Sequence, residues 1–233
     1  MTPDDQKRAA GEAAAELVDE RTFVIGLGTG STAVWFVKAL PGRLAAAGLT
    51  GRVCVATSEV TAALARSVGL EVIDLDQAGA IDLTVDGADE IGPGLALIKG
   101  GGGALLREKL VWEASRRCVV IADASKRVEM LGRFPLPIEV VPFGHGVTLR
   151  RIVSGLADCG VAATPRLRVA GDTPFVTDGG HYIYDAACGA IVDPAEVEAA
   201  LKSITGVVEH GLFLGLAECA LIGTDEGVVW VER

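Results

Sequence analysis

The segment from Thr22 to Lys38 restricts the fold more than any other. Thr22-Phe23-Val24-Ile25-Gly26-Leu27 is an apolar run of strand length, Gly28-Thr29-Gly30-Ser31-Thr32 is a polar turn with two glycines, and Ala33-Val34-Trp35-Phe36-Val37-Lys38 reads as a helix. Strand, glycine turn and helix form the opening unit of a doubly wound α/β sheet. The alternation continues. A helix is expected at Thr61–Val68, strands at Leu70–Ile73, Ile81–Val85 and Leu95–Ile98, a helix at Ala104–Arg117 and a core strand at Val119–Ala122. A further helix, amphipathic and charged, is expected near Pro3–Val18.

The texture changes between Gly132 and Gly146, where Pro135, Pro137 and Pro142 punctuate an apolar run, Ile138–Val141. A helical period follows over Thr148–Cys159, then strands at Arg166–Val169 and Phe175–Thr177, a turn at Asp178-Gly179-Gly180 and a strand at His181–Asp185. Asp193, Pro194 and Glu196 are cap, first-turn proline and capping-box acid for a helix at Val197–Ile204, and Val207–Glu209 closes the series. This order is a split βαβ unit of ferredoxin-like type. The tail, Ala220–Ile222 and Val228–Val231, is expected to return to the first sheet. The expected organisation is therefore a Rossmann-like domain over 1–131 plus 207–233, with a smaller α+β domain over 132–206.

Half of the 233 residues are hydrophobic, enough for a sizeable core, and the net charge is −10 without a dense Lys/Arg cluster, which argues against a nucleic-acid surface. Cys54, Cys118, Cys159, Cys188 and Cys219 are odd in number, scattered and never spaced C-x-x-C. That pattern fits a reducing compartment better than a disulfide framework or a zinc site. Thr2–Glu20 is too charged for a signal peptide, and no apolar run reaches membrane-spanning length. The expectation is a cytoplasmic protein with no membrane or nucleic-acid partner.

Polar residues collect where strands end. Thr29, Ser31 and Thr32 place three hydroxyls at a helix N-terminus, which with Gly30 suits a terminal phosphate. Gly28-x-Gly30-x-x-Ala33 nominally fits the dinucleotide fingerprint, but only Glu59 could loosely serve as the acid that such a site needs. Asp86-Gly87-Ala88-Asp89-Glu90 sets three acids at a strand's carboxyl end. Their mutual repulsion calls for a partner cation, with Lys99 the nearest candidate and Mg²⁺ left open. Lys99 precedes four glycines, Gly100 to Gly103, whose amides can face an oxyanion where the next helix opens. Glu108 lies one turn inside that helix, a plausible proton carrier. Lys126, after the Val119–Ala122 strand, could reach a phosphate. Lys7 reads as a surface lysine, and His145, His181 and His210 as loop or surface residues.

Taken together, Gly28–Thr32, Asp86–Glu90, Lys99–Lys109 and Ala122-Asp123-Ala124-Ser125-Lys126, with Gly206–Phe213 near the end, resemble ribose-5-phosphate isomerase of the A type along nearly the whole chain. The resemblance implies cofactor-free interconversion of ribose 5-phosphate and ribulose 5-phosphate, no metal, and a homodimer or homotetramer. It implies that Glu108 is the base, that Asp86, Asp89 and Lys99 are further active-site groups, and that Thr29, Gly30, Ser31, Thr32 and Lys126 hold the phosphate. Gly87, Ala88, Gly100, Gly101 and Gly102 are expected to contribute backbone contacts to the substrate. Thr177-Asp178-Gly179-Gly180-His181 departs from the family's more usual Asn-Gly-Asn turn. Rival readings are a sugar-phosphate sensor, which would carry a DNA-binding module, a nicotinamide-dependent oxidoreductase, and an acyl-CoA transferase, which also uses a glutamate.

Overall fold

A computed structural model describes residues 1–233. The chain divides into two compact units, one of Met1–Ala88, Arg107–Lys126 and Leu216–Arg233, the other of Asp89–Leu106 and Arg127–Gly215. The sequence reading put the crossings at 131/132 and 206/207.

The first unit is built on a seven-stranded sheet in the order Gly227–Glu232, Cys219–Thr224, Cys118–Asp123, Leu83–Gly87, Val24–Leu27, Val53–Ala56, Glu71–Val72. Every pairing is parallel except the outermost, between Gly227–Glu232 and Cys219–Thr224. Central strands of a parallel sheet are covered on both faces, which is why Cys118–Asp123 is buried at every position. Ile25, Leu27, Val85 and Ile121 pack into one core with Ala10 and Ala14 of the Pro3–Ala15 helix and Phe36, Val37 and Leu40 of the Ala33–Ala46 helix. The Pro3–Ala15 helix starts on a capping box: the Thr2 hydroxyl accepts from the Asp5 N–H and the Asp5 carboxylate accepts from the Thr2 N–H, with Pro3 in the first turn. The Ala33–Ala46 helix runs through Pro41, beyond the Ala33–Lys38 expected from sequence.

The second unit has two small sheets. One is antiparallel in the order Leu212–Phe213, Leu97–Ile98, Glu90–Ile91. The other is antiparallel in the order Val207–His210, Leu136–Val140, Tyr182–Ala186, Arg166–Leu167, and is accompanied by helices His145–Asp158 and Pro194–Lys202. Strand, helix, strand, strand, helix, strand with that spatial order is the expected split βαβ arrangement. Ile138, Val140, Ile152, Leu156, Val197 and Leu201 share its core. Asp193 caps the second helix by accepting from the Ala195 and Glu196 N–H groups.

Two expectations fail here. Phe175–Thr177 is not a strand. The chain instead makes a short ribbon, Val169–Ala170 against Thr173–Pro174, so only the turn after Thr177 survives, closed by the bond from the Gly180 N–H to the Thr177 carbonyl. The Phe175 and Thr177 N–H groups each make a single backbone bond, to the Arg168 and His181 carbonyls, without a continuous ladder, and β-propensity does not decide that. His210 is neither loop nor surface. It is fully buried at the end of Val207–His210, and its Nδ1 accepts from the Leu212 N–H.

Candidate active site

In the first unit the turn after Val24–Leu27 lies against the carboxyl end of the neighbouring strand Leu83–Gly87. Asp86 is fully buried there, and its Oδ1 accepts from the Thr29 N–H at 3.0 Å and the Gly87 N–H at 2.7 Å. The approach needs glycine at position 28. A Cβ there would stand 2.1 Å from Asp86 Oδ1. The Thr29 hydroxyl turns into the protein, 2.7, 2.8 and 3.1 Å from the hydroxyls of Thr57, Ser58 and Thr61. Ser58 also caps the Glu59–Ser67 helix, and Thr61 donates to the Gly28 carbonyl at 3.0 Å. Gly30, at φ +115°, and Ser31 are exposed; Thr32 is buried at the start of the Ala33–Ala46 helix and makes no side-chain cap bond. The glycine turn is thus braced from below, with Gly30 and Ser31 outermost.

Two more groups belong to this unit. Lys126 is half-buried at the end of the short Ala124–Lys126 turn past the strand Cys118–Asp123, and Asp123 Oδ1 fixes that turn by accepting from the Ser125 N–H at 3.0 Å and from its hydroxyl. Glu108 is 4% exposed, in the first turn of Leu105–Glu113. Its neighbour Arg107 donates to Glu59 at 2.7 Å, which holds the Glu59 carboxyl below the usual carboxylate range. The acid considered for a dinucleotide site is therefore an exposed ion-pair partner.

The second unit holds the other half of the expected set. Asp89 accepts from the Gly101 N–H through Oδ2 at 2.7 Å, so tightly that a Cβ on Gly101 would come within 2.6 Å of Asp89 Oδ1. Lys99, 2% exposed, follows the strand Leu97–Ile98. Its N–H donates to the Gly211 carbonyl at 2.8 Å, and its ammonium stands 5.5 Å from the Phe213 ring centroid. Gly211 also donates to the Pro137 carbonyl at 2.8 Å, so one residue ties the lysine's strand to the larger sheet.

The three acids that the sequence sets together are also braced by the backbone. Backbone amides hold them: Thr29 and Gly87 hold Asp86, Gly101 holds Asp89, and Gly132 and Phe134 hold Glu90 at 2.7 and 2.6 Å. No group of three or more His, Cys, Asp or Glu side chains is placed to hold a metal ion. Gly100 is buried, Gly101 and Gly102 are exposed, and Gly87 and Ala88 are intermediate. Sequence reasoning missed Thr57, Ser58 and Thr61, although they follow the strand Val53–Ala56 just as Thr29 follows its own. It also missed Arg168, which bonds the glycine run and carries no motif.

Fold and polar groups together define a Rossmann-like α/β protein with buried carboxylates and a glycine turn at strand carboxyl ends. Comparison narrows the class. A family model described as ribose 5-phosphate isomerase A (phosphoriboisomerase A) matches residues 53–227. The chain is 65% identical over 229 residues to ribose-5-phosphate isomerase A of Caulobacter vibrioides, covering 98% of each, and 53% identical over 238 residues to that of Bradyrhizobium diazoefficiens, covering 100% and 98%. Among solved structures it is similar to a D-ribose-5-phosphate isomerase in complex with phospho-erythronic acid, with 38% identity, TM-score 0.91 and full coverage of both chains. It is also similar to the Plasmodium falciparum ribose 5-phosphate isomerase, with 35% identity, TM-score 0.92 and 99% of each chain covered. The chain belongs to the ribose 5-phosphate isomerase A family.

Proposed function

We propose that the protein interconverts D-ribose 5-phosphate and D-ribulose 5-phosphate through an enediolate, with no cofactor or metal. The observation that carries the reading is Glu108, a buried carboxylate in the first turn of the helix that the Lys99–Gly103 run opens. Isomerisation moves one proton between C2 and C1, and a single fixed base serves both steps. Glu108 takes the proton from C2 of the open-chain aldose and returns it to C1, while the hydroxyl proton passes from O2 to O1 across the enediolate; positioned proton transfer contributes about 10²–10⁴-fold.

The enediolate oxygens need donors more than the carbon needs a strong base. Lys99 and the amides of Gly100 and Gly102 supply them. The Gly101 N–H works through Asp89, whose carboxylate it orients. Asp86 or Asp89 moves the protons that open the furanose ring. Gly87 and Ala88 border the substrate through their backbone. Gly30 and Ser31, the outer part of the Thr29–Thr32 turn, hold the phosphate with Lys126, while the inward-turned Thr29 hydroxyl braces that turn rather than touching the phosphate as the sequence suggested; the phosphate's binding energy positions the reacting carbons. That a relative of 38% identity was solved with phospho-erythronic acid supports a sugar-phosphate ligand. Its carboxylate offers two coplanar oxygens, much as an enediolate does.

We also infer a homodimer or homotetramer working in the cytoplasm. No helix is long and apolar enough to cross a membrane.

Glu108→Gln tests the reading. It keeps the shape and removes the base, so ribose 5-phosphate should bind with KM within a few-fold while kcat falls by about 10³-fold or more. Near-wild-type turnover would remove Glu108 from the base role. Assaying the wild type with and without EDTA tests the metal-free mechanism; loss of activity on chelation would refute it.

A further inference from the structure

We propose that Arg168 is a positioning residue for the isomerisation, clamping the glycine run so that its amides and Asp89 are set before substrate arrives. The inference rests on the isomerase reading above. Four hydrogen bonds carry it. Arg168 Nη1 donates to the Gly100 carbonyl at 3.0 Å and to the Gly101 carbonyl at 3.1 Å, while Nε and Nη2 donate to the two Asp185 carboxylate oxygens at 2.9 and 2.5 Å. The guanidinium is therefore fixed on one edge by a bidentate carboxylate and spends its remaining edge on the loop. Its side chain is only 15% exposed, and its Cζ stands 5.7 Å from the Phe175 ring centroid. Phe175 in turn lies against Gly103, where a Cβ would meet the ring at 2.5 Å. Arg168 itself is held by backbone: its N–H donates to the Ile183 carbonyl at 2.8 Å and its carbonyl accepts from the Phe175 N–H at 2.9 Å.

The consequence follows from peptide planarity. In a trans peptide the C=O and N–H point in opposite directions. Holding the Gly100 carbonyl therefore aims the Gly101 N–H away from Arg168, and that N–H is the one that donates to Asp89 at 2.7 Å. Arg168, the Gly100–Gly101 peptide and Asp89 form one chain of hydrogen bonds, each polarising the next. Holding the Gly101 carbonyl likewise aims the Gly102 N–H. The Gly103 N–H closes the turn by donating to the Gly100 carbonyl at 2.9 Å. Consecutive glycines have no intrinsic stiffness. The rigidity that an oxyanion site requires must come from outside the run, and in this unit Arg168 supplies bonds to two of its carbonyls.

Arg168→Ala and Arg168→Lys in the full-length protein test the clamp, assayed with ribose 5-phosphate and with phospho-erythronic acid as inhibitor. Loosening donors aimed at a developing oxyanion costs on the order of 10²-fold in rate. The expected result for Arg168→Ala is that loss in kcat with KM within about threefold, a comparable loss of phospho-erythronic acid affinity, and partial recovery of kcat with added guanidinium but not with sodium chloride. Arg168→Lys keeps a charge but cannot grip Asp185 and two carbonyls at once, so it should stay well below wild type. A folded Arg168→Ala enzyme with kcat within about twofold of wild type, or one whose deficit guanidinium leaves unchanged, overturns the proposal. Should Arg168→Ala not fold, amide hydrogen exchange in Arg168→Lys decides: faster exchange at Gly101–Gly103 supports the clamp, and unchanged exchange overturns it. Failure of the wild type to convert ribose 5-phosphate would sink the isomerase reading instead, and the exchange comparison reads the clamp independently of turnover.

Discussion

Replacing Gly28 with alanine would put a methyl carbon 2.1 Å from Asp86 Oδ1, 2.2 Å from its Cγ and 2.5 Å from its Cα. The last atom is backbone of a central strand and cannot retreat, so the turn and the carboxylate must part. Overpacking of this kind costs about 1–3 kcal/mol. Parting them also breaks at least one of the bonds that Asp86 Oδ1 accepts from the Thr29 and Gly87 N–H groups, and a hydrogen bond to a charged group is worth about 1.5–3 kcal/mol. The sum is about 2.5–6 kcal/mol, a large share of a typical folding free energy of roughly 5–15 kcal/mol. Gly30→Ala in the same turn is the control. No atom lies within 4 Å of a Cβ there, so its cost is the φ of +115° alone, on the order of 1–3 kcal/mol. Denaturant unfolding of the two variants should rank Gly28→Ala as the less stable. Its kcat should fall as well, because Asp86 is displaced, whereas Gly30→Ala should act chiefly on KM through the phosphate turn. A Gly28→Ala protein within about 1 kcal/mol of wild type, or more stable than Gly30→Ala, would refute the reasoning that close approach to Asp86 is what demands glycine.

Lys126→Ala should raise KM for ribose 5-phosphate about tenfold or more with kcat little changed, because it removes a charged contact to the end of the substrate that does not react; an unchanged KM would put the phosphate elsewhere. Thiol reactivity tests the buried cysteines. Burial pushes Cys54 up to about 12 and Cys188 to about 11, and burial followed by the charges of Glu196, Asp158 and Asp193 raises Cys159. A raised thiol pKa leaves little thiolate at pH 8, so iodoacetamide should label the native protein slowly and at the partly exposed Cys159 first, with all five sites reacting once the chain is unfolded. Rapid labelling of native Cys54 or Cys188 would contradict the packing. The same shifts make each buried thiol's contribution to stability fully present below its ordinary value near 9 and lost as the pH rises toward 12.

Much of the architecture was legible because its signals are local. The run Thr22–Leu27, the two glycines and the helical period after Thr32 sit within one short stretch, and the structure builds strand, turn and helix there. Asp193 and Pro194 announce a helix start in the same way, through bonds to the next few N–H groups. The candidate site was legible as residue types at strand ends: Thr29, Asp86, Lys99 and Lys126 each follow or end a strand. Phe175–Thr177 and His210 were misread because propensity and polarity do not say whether a segment pairs or where it is buried.

The sequence by itself determined which chemistry this chain carries, since glycine, carboxylate, lysine and hydroxyl at strand carboxyl ends follow from the alternation of elements, which a few neighbouring residues encode. Tertiary structure alone decided who holds those groups. Gly211 is 112 residues from Lys99 and Arg168 is 67 from Gly101, yet each is a hydrogen-bond partner. The reason is physical: a buried polar group must find its partner wherever packing brings one, and that partner's place in the chain leaves no periodic trace.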